Sequence, residues 1–142
     1  MSKPRHKQEY LSHVTLMILG NNLDPQSVSR SLRLRPTQAW RQGEPKTRDL
    51  HSTYEWGGWK KALPNAQLTE QFARQLAFWV KALAGRAKAI SKLSRAGNLC
   101  ALNCYIGSSG TASIVIPPEL QRAIAALGLE LQLSFFAYDD GG

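Results

Sequence analysis

The sequence predicts an α+β fold, a two-layer sandwich in which a mainly antiparallel sheet carries helices on one face. Several segments alternate apolar and polar residues, which is typical of strands with one buried face. Segments with helical periodicity lie between them, and Gly, Pro and Asn separate the elements. The 142 residues suffice for one sizeable core, so we expect one α+β domain over residues 12–140 behind a flexible basic leader at 1–11.

The first two elements have clear start and stop signals. Residues 12–19 alternate as a strand that turns Val14 inward. Asp24 followed by Pro25 is a typical helix start, because the carboxylate accepts free backbone N–H groups and proline fixes a helical φ. This short helix should end before Pro36, which disfavours helical geometry in the residue preceding it.

The next segment combines charged and aromatic residues. It predicts a second strand at 37–42, a charged loop at 44–50 as a candidate mobile element, and a third strand at 52–61. A Gly57-Gly58 bulge within the third strand should place three large aromatic side chains on one face. These are Tyr54, Trp56 and Trp59.

Two helices are expected next. A stripe at helical spacing predicts a helix of about four turns closed by Gly85. Residues 86–96 predict a second helix with a basic outer face. The stripe consists of Phe72, Leu76, Trp79, Val80 and Leu83.

The remaining chain predicts a strand, a hairpin partner, a helix and a final strand. The strand at 98–107 should turn at 108–110 and return at 111–116. Pro117-Pro118 should open a helix that Gly128 stops, and alternation from 129 to 137 predicts a half-buried last strand. The resulting order is βαββααββαβ, whose first part suggests a ferredoxin-like or related split βαβ core.

Several turn and capping segments resemble a known family. Together they resemble the uncharacterised bacterial family catalogued as domain of unknown function 4279, over about residues 10–138. The resemblance implies a bacterial, cytoplasmic α+β domain and brings no catalytic residues with it. The matching stretches are residues 20–25, 32–37, 116–120 and 127–129, with Gly43, Trp59 and Tyr138.

The charge is unevenly distributed along the chain. The formal net charge is +8, but residues 1–97 hold 17 basic and 6 acidic groups, whereas residues 98–142 hold one basic and four acidic groups. A basic surface attracts acidic proteins, nucleic acids or anionic lipid, or serves only as a solvated face. No apolar run is long enough to span a membrane, so we expect no membrane partner.

No catalytic or metal-binding pattern is present in the sequence. The three histidines have no metal-ligand spacing, and no phosphate-binding glycine motif occurs. Cys100 and Cys104 share one strand face four residues apart, too far for a disulfide, and are expected to be buried and reduced, as in a cytoplasmic protein. We therefore expect no cofactor, no metal and no enzymatic activity.

Two surfaces are candidates for binding. The polar side of the sheet fits a protein partner, either a second copy or an acidic protein, and an immunity-type neutralising role is one such function. The alternative is a nucleic-acid-binding domain that uses basic helical and loop residues. The sheet face consists of Thr15, Met17, Asn103, Tyr105, Gln132, Ser134 and Phe136, and the anion-binding candidates are Arg30, Arg33, Arg86, Lys88, Lys92 and Arg95. The sequence leaves open whether Trp40, Trp56 and Trp59 belong to the core or to a binding surface.

Overall fold

A computed structural model describes residues 10–46 and 49–139, except for the side chain of Leu50. Most of the predicted leader and the last three residues therefore lie outside the described part, although Leu11 already belongs to the first strand. The elements are β1 (Leu11–Gly20), α1 (Pro25–Leu32), β2 (Gln38–Trp40), β3 (Pro45–Lys46), β4 (Asp49–Thr53), β5 (Gly57–Lys61), α2 (Phe72–Ala82), α3 (Ala87–Arg95), β6 (Leu99–Ser108), α4 (Pro118–Leu127) and β7 (Glu130–Ala137).

Five strands form one mixed, mainly antiparallel sheet in the order β2-β5-β1-β6-β7. The neighbours β2/β5, β5/β1 and β1/β6 are antiparallel, and β7 joins β6 in parallel. The four strands β2, β5, β1 and β6, together with α1 and α2, have the split βαβ arrangement expected of a ferredoxin-like core. The unit β6-α4-β7 adds the fifth strand, and β3 and β4 form a separate hairpin.

The helices cover one face of the sheet and enclose the core. Residues at even positions of β1 and β6 and Trp59 of β5 point into it, as the predicted strand phases require. The indole N–H groups inside the core are satisfied: Trp79 Nε1 donates to Val14 O at 2.7 Å, and Trp59 Nε1 donates to Ser29 Oγ at 3.0 Å. The α+β class and the layer arrangement are confirmed.

Local signals placed the ends of α1 and α4 correctly, whereas α2, expected to run about four turns to Gly85, ends at Ala82 after about three turns. Asp24 caps α1 by accepting from Gln26 N at 3.1 Å. Gly128 ends α4 with a φ of 80°, which glycine adopts without steric cost. None of the helices in the described ranges has the length and apolar character needed to cross a membrane.

Three predicted elements differ from the structure. The segment 44–50 is not an unstructured loop: its described residues enter a hairpin, in which Asp49 accepts from Ser52 Oγ at 2.6 Å. The strand expected at 52–61 is two strands, so Trp59 enters the core while Tyr54 and Trp56 lie on the opposite side.

The hairpin expected between residues 98–107 and 111–116 is also absent. Residues 111–117 form no strand, because Ile114 and Ile116 pack against the core and the edge of β6 pairs with β7. The inward face of β7 is buried only at its beginning, since Leu133 and Phe135 are exposed. Pro117 and Pro118 have no backbone N–H groups to donate to a neighbouring strand, and α4 begins at Pro118 instead.

Candidate functional site

The uncovered side of the sheet, which we call the open face, carries all seven predicted sheet-face residues. The registers align Thr15 with Asn103 and Asn103 with Gln132, so these three side chains form one row across β1, β6 and β7. Tyr105 and Ser134 belong to the next row. The open face is therefore a continuous surface of polar and aromatic groups.

Met17 is the exception among these residues. Its side chain is only 5% exposed, although it projects from the side of the sheet that the helices leave uncovered. A pocket of about 220 Å³ brings Met17 and Lys60 of the sheet together with residues of the hairpin and of its connection to β5. The hairpin therefore partly covers this end of the open face, and Met17 forms part of a floor rather than an exposed contact.

An aromatic pair lies at the other end of the open face, on β6 and β7. The rings of Tyr105 and Phe136 are stacked with centroids 4.5 Å apart and an interplanar angle of 22°. Phe136 lies directly over Gly107, whose missing side chain leaves room for the ring. Tyr105 is 50% exposed, and exposed Leu11 lies beside Gly107 in the register. We call these four residues the aromatic corner.

A second aromatic stack forms the opposite end of the open face. Trp40 of β2 lies over Gly58 and stacks on Tyr54 with ring centroids 4.6 Å apart. Its Nε1 donates to Trp56 O at 2.8 Å, which ties the sheet to the segment after β4. Lys60 lies 5.5 Å from the centroid of the Trp40 ring. This end combines apolar rings with positive charge.

The sequence left the positions of three tryptophans open, and each has a different outcome. Trp59 is a core residue. Trp40 is nearly buried but lies on the open face, whereas Trp56 is 49% exposed and lines the pocket beside the hairpin.

Two features of the open face were missed by sequence reasoning. Period-two alternation continued one residue before Ser12 would have placed Leu11 on β1. The pairing of Trp40 with Gly58 depends on the register between β2 and β5, which sequence periodicity does not contain.

The predicted anion-binding residues lie on or beside α1 and α3, in the helical layer. Neither helix contains an acidic residue. Arg86 differs from the prediction: it is half-buried, and its guanidinium donates to Leu32 O at 2.6 Å and to Ala82 O at 3.0 Å. It therefore joins α1 to the end of α2. The exposed members of this basic helical surface are Arg30, Arg33, Lys88, Lys92 and Arg95.

The cysteines pack as core residues. Cys100 and Cys104 are both buried, free thiols. Burial raises the pKa of Cys100 to about 11, with a smaller contribution from Glu130, and burial raises that of Cys104 to about 12. Thiols in this setting are protonated at neutral pH and poor nucleophiles. No group of three or more His, Cys, Asp or Glu side chains suited to a metal ion occurs within the part of the chain that the structure describes.

The fold and the open face together define a small α+β domain with one covered and one uncovered sheet surface. Residues 8–138 match the family described as a domain of unknown function, DUF4279, and the chain belongs to that family. No curated protein and no solved structure matches the chain.

Proposed function

We propose that this chain is a non-enzymatic binding module that captures another protein on its open sheet face. The observation that carries the proposal is the aromatic corner, in which a half-exposed Tyr105 is held against Phe136. Tyrosine is enriched among residues that dominate binding energy, and a ring already fixed by stacking loses little freedom when a partner covers it. Such an anchor contributes about 2 kcal/mol or more to binding.

The charge of the open face favours an acidic partner. Lys46 and Lys60 flank the Trp40–Tyr54 stack, with Lys46 Nζ 5.8 Å from the centroid of the Tyr54 ring. Among the described residues that line the same pocket, Glu55 is the only acidic one. A neutralising role of the immunity type is one function of this kind, since it needs only tight capture of one protein. The two buried free thiols are consistent with a reducing compartment, as in the cytoplasm.

The test compares truncations of two exposed side chains that lie on opposite surfaces. The wild type, Tyr105→Ala and Lys88→Ala are immobilised at equal density and exposed to lysate of the source cells, and the retained proteins are quantified by mass spectrometry. We expect one protein retained by the wild type and by Lys88→Ala, with about 30-fold weaker binding to Tyr105→Ala. Equal retention by both variants would contradict the proposal.

The second candidate function is nucleic-acid binding by the basic helical surface. The observation in its favour is that α1 and α3 present exposed cations and contain no acidic residue. If this surface holds phosphates, the logarithm of the affinity for random nucleic acid should fall with the logarithm of salt concentration, with a slope of about −0.7 to −0.9 per phosphate contacted. Charge reversal at Lys88 and Lys92 should then flatten the slope, whereas Tyr105→Ala should leave it unchanged.

A further inference from the structure

The edge strand β7 lacks the features that normally protect the edge of a sheet. β7 is the last strand in the sheet order, and among the described residues no strand pairs with its outer side. Natural edge strands are shortened, charged, bulged or interrupted by proline, because an unpaired edge is a template for another chain. Residues 131–137 of β7 contain neither a charge nor a proline. The opposite edge, β2, has only three residues.

β7 also carries large apolar side chains on its helical side and, beside the polar Gln132 and Ser134, on the open face. Leu133 and Phe135 point to the helical side, where they are 41% and 67% exposed, and Phe136 lies on the open face. An exposed edge with this composition is a predicted association site.

The backbone groups available at this edge can be identified. Tyr138 N donates to Ser108 O at 3.2 Å, so the even-numbered residues of β7 direct their hydrogen-bonding groups toward β6. Since the direction alternates along a strand, Leu131, Leu133, Phe135 and Ala137 direct theirs outward. An added antiparallel strand must pair with these four residues.

From these observations we infer that β7 pairs antiparallel with the β7 strand of a second copy of this chain, about a two-fold axis at Ser134. This register sets Leu133 opposite Phe135 and Leu131 opposite Ala137, so both outward-bonding pairs are apolar. Two five-stranded sheets would then form one continuous ten-stranded sheet. The inference does not depend on the proposed function, because the pairing needs no other partner.

Two further arguments favour a second copy as the occupant. Pairing of β7 with itself uses the β7 edge of both copies and closes at the dimer, which leaves only the two three-residue β2 edges, whereas pairing of β7 with β2 would leave a β7 edge open to further copies. Charge also permits it. Residues 131–137 carry no charge, so the proposed pairs set no like charges opposite each other.

The first test measures mass in solution and requires no partner. Light scattering coupled to size exclusion, with the protein near 100 µM, should give about twice 15.8 kDa for the wild type. Phe135→Lys should return the mass to that of one chain while keeping the far-ultraviolet circular dichroism of the wild type, because Phe135 is exposed. Tyr105→Ala, which alters the proposed partner surface, should remain dimeric. A wild type of single-chain mass, or a dimeric Phe135→Lys, would overturn the inference.

A cysteine pair tests the register. In a non-hydrogen-bonded antiparallel pair, opposite Cα atoms are about 4.5 Å apart, which is within disulfide range. Ser134→Cys should therefore form an intermolecular disulfide under mild oxidation, visible as a doubled band on a non-reducing gel. In this register, residue 132 lies opposite residue 136 of the second copy, so the two Gln132→Cys positions are offset by four residues, about 13 Å along the strands. Gln132→Cys should therefore form no intermolecular disulfide and run as a single-chain band. Cross-linking of Gln132→Cys, or failure of Ser134→Cys, would contradict the pairing.

Discussion

Replacing each of the two glycines beneath the open-face rings by alanine should have very different consequences for stability. A Cβ atom at Gly58 would overlap the indole ring of Trp40, and one at Gly107 would overlap the phenyl ring of Phe136. In both cases the ring must move. The cost therefore depends on what each ring loses when it leaves its glycine.

Trp40 has more to lose. Its displacement breaks the hydrogen bond to Trp56 O, worth about 1 kcal/mol, and the stack on Tyr54, worth about 1 kcal/mol. Exposing part of a nearly buried indole adds about 1–2 kcal/mol. Alanine in a strand returns about 0.5–1 kcal/mol relative to glycine. We therefore expect Gly58→Ala to lower the free energy of unfolding by about 2–3.5 kcal/mol.

Phe136 is half-buried and loses mainly its stack on Tyr105, worth about 1 kcal/mol. The gain from alanine nearly offsets this loss, so Gly107→Ala should change the free energy of unfolding by less than about 1 kcal/mol. Urea denaturation of both variants, followed by tryptophan fluorescence and circular dichroism, measures the difference. Equal losses within about 0.5 kcal/mol, or a larger loss at Gly107, would refute the reasoning.

Three further predictions concern the core and the helical layer. Leu76→Ala on the buried face of α2 should lower the free energy of unfolding by about 2–5 kcal/mol through a cavity, whereas Lys88→Ala on the exposed face of α3 should change it by less than about 0.5 kcal/mol; denaturation of both variants checks which helical faces are buried. Arg86→Ala should cost about 1–3 kcal/mol, because it leaves two carbonyl groups without their donor, and a loss as small as that of Lys88→Ala would argue against this role. Because burial raises the pKa values of Cys100 and Cys104 above 9.0, the stability that the protonated thiols contribute should be complete below about pH 9 and should fall as the pH rises toward 11–12. Chemical denaturation from pH 7 to 11 measures this fall in the wild type and in Cys100→Ala. An equal fall in the free energy of unfolding of both proteins would contradict the prediction.

Elements whose signals are local could be predicted well. The alternation in β1, the helical stripe of α2 and the Asp24-Pro25 start of α1 each follow from a few neighbouring residues, and each is confirmed. The α+β class followed from their sum. The seven open-face residues could also be placed on one side of the sheet, because period-two alternation within each strand fixes the side on which a residue lies.

Features that depend on long-range pairing could not be predicted. Turn residues at 108–110 favoured a hairpin, but Ile114 and Ile116 gain more by packing on the core, and β7 takes the edge of β6. The position of Phe136 over Gly107 results from that parallel pairing. Likewise, Arg86 has the spacing of an exposed helical residue, and only the approach of α1 gives its guanidinium a carbonyl partner.

The most direct measurement of the central claim, that the open face captures another protein, is photo-cross-linking from two sites. A benzophenone amino acid replaces Tyr105 on the open face in one variant and Lys92 on the basic helical surface in the other. After irradiation in the source cells, we expect one discrete adduct with a different protein from position 105 and none from position 92. Adducts with another protein from position 92 and none from position 105 would contradict the account.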